Sequence, residues 1–237
     1  MGDKTFFNWS SGKDAALALY HLQQDARYEV RQLVTTINSH FDRISMHGLR
    51  RELLKQQAQS IGIPLSCIEL PREPSMEEYE GIMRQNLQQL HNEGFTTAAF
   101  GDIFLEDLRA YREDQLRKLG FRACFPIWKR NTTELIREFL DLGFKAVLVS
   151  IDAQLLEPSF AGRDIDRNFI RDLPPGVDPC GENGEFHAFC YDGPIFDKPV
   201  RFSLGEKVYK EYIAPNRDKQ QEDEQTIGFW FRDLLPK

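Results

Sequence analysis

Five strand-like segments alternate with segments of helical periodicity over the first 127 residues of this chain. The strand-like segments are residues 5–9, 28–37, 64–70, 96–102 and 121–128. Helical spacing of apolar residues marks the segments between them, residues 14–24, 49–63, 75–94 and 105–119. This alternation predicts an α/β fold with a parallel sheet covered on both faces. Ligands of such sheets bind beyond the carboxyl ends of the strands, near the point where the strand order reverses.

The second half of the chain is less regular, and residues 172–200 are dense in Gly, Pro and Asp. The predicted elements are a helix at 131–142, a strand at 145–151, an exposed strand pair at 200–213 and a solvated loop at 216–226. We therefore predict two domains, residues 1–127 and residues 128–237, of which the second is a smaller α+β unit.

The charge and the cysteines exclude several classes of function. The net charge is −7 and the chain has no long basic run, so we do not expect non-specific binding to nucleic acid or to an anionic membrane surface. The four cysteines have no CxxC spacing, which favours reduced thiols in a cytoplasmic protein. We also expect no membrane-spanning segment, because no apolar stretch is long enough.

A short polar loop, Ser10-Ser11-Gly12-Lys13-Asp14, separates the first strand from the first helix. Free backbone N–H groups and the helix dipole suit an anion at such a position. The two hydroxyls can donate hydrogen bonds and Lys13 can supply positive charge, so a phosphate site is one interpretation. The alternative is an ordinary capped helix, since Ser and Asp are common N-caps. Asp14 can likewise either cap the helix or hold a metal ion.

Two common nucleotide-binding motifs do not fit this loop. The Walker A pattern needs glycine at position 7 and a hydroxyl residue at position 14, where the chain has Phe7 and Asp14. The Rossmann G-x-G-x-x-G pattern fails because the loop has a single glycine, Gly12.

The tract "WSSGKDAALAL" resembles the SGGKDS loop of the PP-loop ATP pyrophosphatases. Five further motifs resemble the diphthine–ammonia ligase family and occur in the family's order, so that the resemblance covers about residues 4–200. They are "MHG" (46–48), "FGDIFLEDLRAYRE" (100–113), "FPIW" (125–128), "SFAGRDID" (159–166) and "GENGEFHAF" (181–189). The chain departs from the family loop at two positions, with Ser11 in place of Gly and Ala15 in place of Ser.

The resemblance implies a HUP-type, Rossmann-like domain with a five-stranded parallel sheet in the order 3-2-1-4-5. It implies that ATP, with Mg²⁺, is split to AMP and pyrophosphate while a carboxylate is adenylated, and that ammonia then displaces AMP to leave an amide. The acceptor carboxylate, on a protein side chain or a small molecule, is not identified by the sequence. We leave the assembly open between a monomer and a homodimer.

The residues on which we expect the reaction to depend lie on the loop and on three later motifs. Catalytic roles are predicted for Lys13, His47, Glu182 and Glu185. The predicted nucleotide-binding residues are Ser10, Ser11, Gly12, Lys13, Asp14, Gly101, Asp102 and Arg109, and Asp14 is also the predicted Mg²⁺ ligand.

Each of these residues also has a structural interpretation. Arg109 and Glu113 are four residues apart on a helix and can form a surface ion pair. Gly101 can simply turn the chain, and the Asn-Gly pair between Glu182 and Glu185 favours a tight hairpin turn.

Two other functions stay open. One is a different PP-loop adenylating ligase that acts on a small metabolite or an RNA base. The other is a nucleotide-binding regulatory protein that has lost turnover, for which Ala15 is the best indication because it removes a hydroxyl from the loop.

Overall fold

The first half of the chain folds into a sheet whose parallel strands are joined by helices. The computed structural model describes residues 2–44, 48–213 and 226–237. The strands of this sheet are β1 (Asp3–Asn8), β2 (Tyr28–Asn38), β3 (Arg43–Ile44), β4 (Leu65–Leu70), β5 (Thr97–Ala99) and β6 (Arg122–Cys124). The helices of this half are α1 (Lys13–Gln23), α2 (Arg51–Ile61), α3 (Met76–Asn92) and α4 (Glu106–Lys118).

The parallel strands lie in the order β4-β2-β1-β5-β6. β3 is a two-residue strand that pairs antiparallel with the end of β2 and was not predicted. Without it, the five predicted strands correspond to β1, β2, β4, β5 and β6, and their order in the sheet is 3-2-1-4-5. The predicted fold class is confirmed. From β1 the chain adds β2 and β4 on one side of the sheet and then crosses back to add β5 and β6 on the other side. The carboxyl end of β1 therefore lies at the switch point where ligands of such folds bind.

Local signals explain where the helices begin and end. Ser75 and Glu78 form the capping box predicted at the start of α3, each side chain accepting a hydrogen bond from the other residue's backbone N–H. α2 ends at Gly62, whose φ of 76° is the left-handed conformation that glycine adopts without steric cost.

The second half forms an antiparallel sheet with the strand order β8-β7-β10-β9. Its elements are α5 (Thr132–Asp141), β7 (Lys145–Asp152), a short 3-10 helix (Pro158–Phe160), α6 (Arg167–Asp172), β8 (Phe186–Asp192), β9 (Phe202–Ile213) and β10 (Thr226–Pro236). The predicted strand pair at 200–213 is wrong, because that segment is the single strand β9 and its partner is β10. The predicted loop at 216–226 lies outside the described residues except for Thr226, which begins β10.

Apolar residues cover both faces of the first sheet. Neighbouring residues of a strand point to opposite faces, so Phe6 packs in a cluster with Phe95 and Phe121, while Phe7 packs in a larger cluster on the other side. The larger cluster continues through Phe139 and Phe189 into the second sheet. The two halves therefore share one continuous core, and the predicted boundary at residue 127 stays a prediction.

Candidate functional site

A cavity of about 1200 Å³ lies at the carboxyl ends of the parallel strands. Trp9 and Phe100, which follow β1 and β5, line it together with Thr36 of β2, and residues 180–184 of the second half close one side. Pockets that hold a single small ligand usually measure about 300–1,000 Å³. The cavity therefore has room for a nucleotide and for part of a second substrate.

The polar loop forms the floor of this cavity at the N-terminus of α1. Gly12 is the N-cap and has no side chain, so the first N–H groups of the helix have no side-chain cap among the described residues. Ser10, Gly12, Lys13 and Asp14 line the cavity, and the Ser10 hydroxyl accepts a hydrogen bond from Gly12 N at 3.4 Å. Such an arrangement of donors at a helix N-terminus is suited to phosphate.

Ser11 has a different environment from its neighbours in the loop. Its φ is 71°, a conformation that glycine adopts readily and other residues adopt at a cost. The side chain is 1% exposed, and its hydroxyl has no hydrogen-bond partner among the described residues. Glycine would adopt this backbone angle without that cost, so Ser11 is a strained residue in the loop.

A buried glutamine on α2 supports the loop. Gln57 is 0% exposed, and its amide nitrogen donates to the carbonyl oxygens of Ser11 at 3.1 Å and of Cys190 at 2.6 Å. Its amide oxygen accepts a hydrogen bond from the Trp9 indole at 3.0 Å. Ser11 O also accepts from Cys190 N at 2.9 Å, so residues of α2 and β8 both fix the loop.

Lys13 joins the loop to the second half. Its amino group donates to the Asp14 carboxylate at 2.6 Å and to the carbonyl of Cys180, and it lies 5.5 Å from the centre of the Phe186 ring. Burial disfavours the charge, but the nearby carboxylates of Asp14 and Glu182 outweigh it and raise the pKa of Lys13 above its ordinary value. Lys13 is therefore a fixed positive charge at the edge of the cavity.

Two carboxyl groups line the cavity beside this lysine. Burial, together with repulsion from Asp14, raises the pKa of Glu182 to about 7. Burial also raises the pKa of Asp14, against the lowering effect of Lys13. A further positive charge would therefore be stabilised beside the carboxyl groups of Asp14 and Glu182. Glu182 changes its protonation state near neutral pH.

Glu185 lies behind the wall of the cavity and organises the turn of residues 181–185, here called the acidic turn. The side chain is 1% exposed, and its two oxygens accept hydrogen bonds from the backbone N–H groups of Asp178 at 2.9 Å and Asn183 at 2.8 Å. These bonds lower the pKa of Glu185 despite the opposing effect of burial. The contacts give Glu185 a structural role in the turn that presents Glu182, and its predicted catalytic role stays a prediction.

Gly101 and Asp102 follow β5 and line the cavity, with Gly101 against the start of α1. A side chain at Gly101 would place its Cβ 2.9 Å from both the Cα and the N of Ala15, so glycine permits β5 to approach the start of α1. Asp102 is paired with Arg112, whose guanidinium lies 4.6 Å from the centre of the Phe100 ring.

Arg112 lines the cavity and was not among the residues predicted from the sequence. Arg109, which was predicted, is not among the residues that line the cavity. It forms an ion pair with Glu113 at 2.7 Å and stacks on Phe125 and Trp128. Arg112 is three residues further along the same helix, and only the packing of α4 decides which of the two faces the cavity.

Gln57 was also missed, although the sequence contains a signal for it. Leu53, Leu54 and Ala58 form the buried stripe of α2, and position 57 falls on the same stripe. A polar residue on an apolar stripe needs a buried partner. The predicted catalytic residue His47 lies outside the described residues.

Within residues 2–44, 48–213 and 226–237, no group of three or more His, Cys, Asp or Glu side chains is arranged to hold a metal ion by itself. The helices in the same ranges are all too short or too polar to cross a membrane.

Comparison with known proteins identifies the family of the chain. The family model described as the diphthamide synthase N-terminal domain matches residues 3–123, and the model described as the diphthamide synthase C-terminal domain matches residues 131–220. The diphthine–ammonia ligase of Danio rerio is 25% identical over 170 residues, which cover 64% of this chain and 65% of that protein. The human diphthine–ammonia ligase is 29% identical over 113 residues, which cover 46% of this chain and 42% of that protein.

This chain thus matches less than two thirds of the length of these relatives. A solved U34-tRNA thiolase from Methanococcus maripaludis is 15% identical with a TM-score of 0.39, covering 60% of this chain and 58% of that chain, a likeness too weak to carry an inference. The two family models match both halves of the chain and confirm the resemblance of its motifs. The chain therefore belongs to the diphthamide synthase family, which includes the diphthine–ammonia ligases.

Proposed function

We propose that the chain is a cytosolic, ATP-dependent, AMP-forming ligase that adenylates a carboxylate and converts it to an amide with ammonia. The observation that carries this proposal is the loop at the N-terminus of α1, where uncapped N–H groups and Lys13 face a cavity at the switch point of the sheet. The names of the diphthine–ammonia ligase relatives support the same reaction class.

In this proposal the loop binds the β- and γ-phosphates of ATP. Backbone N–H groups of the loop and the charge of Lys13 stabilise the pyrophosphate as negative charge develops on it. Residues of β2 and α3, such as Val34 and Met83, line the apolar part of the cavity and suit the adenine ring.

The residues beside the loop fit a magnesium ion that enters with the nucleotide. Mg²⁺ is usually held by one or two carboxylates together with substrate phosphates. Asp14 supplies one carboxylate, whose pKa is raised by burial against the lowering effect of Lys13, and a divalent cation beside it would relieve that cost of burial. Bound there, the ion would neutralise charge on the departing pyrophosphate.

The reaction then takes two steps. An acceptor carboxylate oxygen forms a bond to the α-phosphorus of ATP, and the bond to pyrophosphate breaks. The nitrogen of ammonia next attacks the carbonyl carbon of the acyl-adenylate, AMP leaves, and one proton of the attacking nitrogen must be removed. A base for this proton needs a pKa near the working pH, and Glu182 with a pKa of about 7 meets that requirement.

Arg112 is the residue that we assign to the acceptor carboxylate. The surroundings of Lys13 are rich in acids. Asp14 pairs with Lys13, and Asp102 pairs with Arg112. Burial together with repulsion from both acids raises the pKa of Glu182. A substrate carboxylate entering this region needs a cation to face it. Arg112 lines the cavity and is held in place by the Phe100 ring.

Identification of the nucleotide products tests the proposal. The protein is incubated with ATP, Mg²⁺, ammonium and either a diphthine-bearing protein or fractionated metabolites, and the nucleotides are separated by chromatography. AMP and pyrophosphate in equal amounts are expected, whereas ADP and phosphate as the main products would contradict the mechanism. Product formation that requires a small metabolite or an RNA base in place of diphthine would favour the other PP-loop ligases.

A nucleotide-binding regulatory protein is the second candidate, and Ala15 is the observation that favours it. Ala15 lines the cavity in the loop position where the resembled family has a hydroxyl. Such a protein would bind ATP without releasing pyrophosphate in the presence of any acceptor.

The homodimer considered from the sequence also stays a proposal. Among the described strands, β9 pairs only with β10 and leaves a twelve-residue edge that carries the exposed side chains of Leu204, Val208 and Tyr212. Such an edge can pair with a second copy of the chain. Light scattering during gel filtration gives the mass that decides between monomer and dimer.

A further inference from the structure

We propose that Gln57 is the positioning residue of the phosphate loop, and that it acts by orienting the peptide unit between Ser11 and Gly12. This inference rests on the proposed function, because it assigns the loop to the phosphates of ATP. It goes further in naming a residue, outside the loop and outside the cavity lining, on which phosphate binding depends.

One peptide group, between Ser11 and Gly12, links Gln57 to the cavity. The carbonyl oxygen of Ser11 and the N–H of Gly12 belong to the same planar trans peptide, so they point in opposite directions. Ser11 O is held by two donors, Gln57 Nε2 at 3.1 Å and Cys190 N at 2.9 Å, and neither of these residues lines the cavity. Gly12 N is therefore directed towards Ser10 Oγ, in the part of the loop that lines the cavity.

The orientation of the Gln57 amide is itself determined by its partners. The Trp9 indole nitrogen can only donate a hydrogen bond, so the oxygen of the Gln57 amide must face it. The amide nitrogen then faces the carbonyl oxygens of Ser11 and Cys190, which can only accept. Because Gln57 and Trp9 are both nearly fully buried, water does not compete for these bonds.

Ser11 needs this support because of its backbone angle. A φ of 71° is unfavourable for a residue with a Cβ, and such a conformation persists only where the surroundings determine it. If Gln57 could not donate, one of the two bonds on the Ser11 carbonyl would be lost. The Ser11 backbone could then relax towards an ordinary φ, which would reorient the peptide between Ser11 and Gly12 and turn the Gly12 N–H away from the cavity.

The test compares three variants of the full chain. Gln57→Leu keeps the approximate size of the side chain and removes all three hydrogen bonds. Gln57→Glu keeps an acceptor for Trp9 but, when ionised, cannot donate to either carbonyl. The matched control is Ser60→Ala, because Ser60 is buried on the same helix and its hydroxyl bonds, among the described residues, the backbone of Lys198, far along the chain from the loop.

Two measurements are made on each variant. Hydrogen exchange of a peptide that covers residues 10–15 reports the order of the loop without any ligand, and calorimetry reports the affinity for Mg-ATP. We expect faster exchange and an affinity about tenfold weaker in both Gln57 variants, with neither change in Ser60→Ala. The loss of loop order and of Mg-ATP affinity in Gln57→Glu, compared with wild type at the same pH, should become smaller in acid. A protonated carboxyl group can donate one hydrogen bond to the carbonyl of Ser11 or Cys190.

Loop exchange and ATP affinity equal to wild type in a folded Gln57 variant would overturn the proposal. The same two defects in Ser60→Ala would also overturn it, because they would reflect general loss of stability. If wild type itself does not bind ATP, the proposed function fails, and the exchange measurement still decides whether Gln57 orders the loop.

Discussion

Ser11 occupies a backbone conformation that suits glycine. For a residue with a Cβ, this conformation costs roughly 1–2 kcal/mol, and the buried hydroxyl of Ser11 has no partner among the described residues. We expect Ser11→Gly to raise the free energy of unfolding by about 1 kcal/mol, after the greater freedom of glycine in the unfolded chain is subtracted. Urea denaturation measures the change. Ser11→Ala removes the hydroxyl but keeps the strain, so it should be less stable than Ser11→Gly, and a destabilised Ser11→Gly would contradict the account.

The two glutamates of the acidic turn should respond to pH with opposite signs. The pKa of Glu182 is raised from 4.5 to about 7, so between these pH values the folded protein keeps a proton that the unfolded chain has lost. The contribution of Glu182 to stability therefore becomes unfavourable as the pH rises from 4.5 to 7. Glu182→Gln should therefore be more stable than wild type above pH 7, by about 2 kcal/mol, and equal to it below pH 4.5.

Glu185 provides the matched comparison. Its pKa is lowered from 4.5, so its contribution is present above that pH and is lost as the pH falls. Glu185→Gln should be less stable than wild type at neutral pH, and the difference should shrink in acid. Thermal melts of the three proteins from pH 4 to pH 8 give both curves, and curves of the same sign would show that the burial of these carboxyls is misassigned.

At the scale of elements, the close approach of β5 to the start of α1 shapes the cavity. A methyl group at Gly101 would lie 2.9 Å from the backbone of Ala15, so Gly101→Ala must push the strand and the helix apart. We expect a loss of about 1–3 kcal/mol in stability together with weaker ATP binding.

The same substitution in α3 should have the opposite effect. Gly81 is an interior residue of that helix, and a Cβ there would meet nothing within 4 Å. Gly81→Ala should therefore stabilise the protein by about 0.5–1 kcal/mol and leave ATP affinity unchanged. Equal effects of the two substitutions in chemical denaturation and calorimetry would refute the packing argument at Gly101.

At the scale of the whole molecule, an ion-pair cluster ties the second sheet to the first. Asp233 of β10 lies 3.0 Å from Arg43 of β3 and 2.5 Å from Arg50, the N-cap of α2. Burial opposes the charge of Asp233, but hydrogen bonds from the two arginines lower its pKa to about 2. A lowered pKa adds stability above about pH 3.8, and this stability is lost as the pH falls towards 2.

Asp233→Asn should therefore lower the free energy of unfolding at neutral pH by about 1 kcal/mol, a figure reduced for the partial exposure of the three side chains. The difference from wild type should vanish near pH 2. Asp141→Asn is the control, since Asp141 pairs with Arg167 on the open surface and its loss should have no measurable effect. A pH-independent difference for Asp233→Asn would show that the lost interaction is not an ion pair.

The parts of the fold that were predictable depend on short-range patterns. Alternating periodicity predicted the parallel strands, and Ser75 with Glu78 predicted the start of α3, because a capping box needs only four residues. β8 was missed because it lies within a segment rich in Gly, Pro and Asp, and β10 because its partner β9 is separated from it by residues 214–225.

The site was predictable to the same extent. The loop from Ser10 to Asp14 follows from local sequence, whereas the choice of Arg112 over Arg109 depends on how α4 packs against the sheet. The Gln57 side chain donates hydrogen bonds to Ser11, 46 positions away in the sequence, and to Cys190, 133 positions away. No local sequence pattern contains such contacts. Glu185, which has the same side chain as Glu182, is distinguished from it only by the hydrogen bonds of the folded turn.

The proposed adenylation requires that an oxygen of the acceptor carboxylate attacks the α-phosphate of ATP, and oxygen labelling follows that oxygen into the products. An acceptor whose carboxylate carries ¹⁸O is incubated with the protein, ATP, Mg²⁺ and ammonium, and the products are analysed by mass spectrometry. Adenylation bonds one labelled carboxylate oxygen to the α-phosphorus, and the bond between that oxygen and the carbonyl carbon breaks when ammonia displaces AMP. We therefore predict that one ¹⁸O atom appears in AMP while the acceptor becomes an amide. The label in inorganic phosphate, with ADP as the second product, would contradict the account.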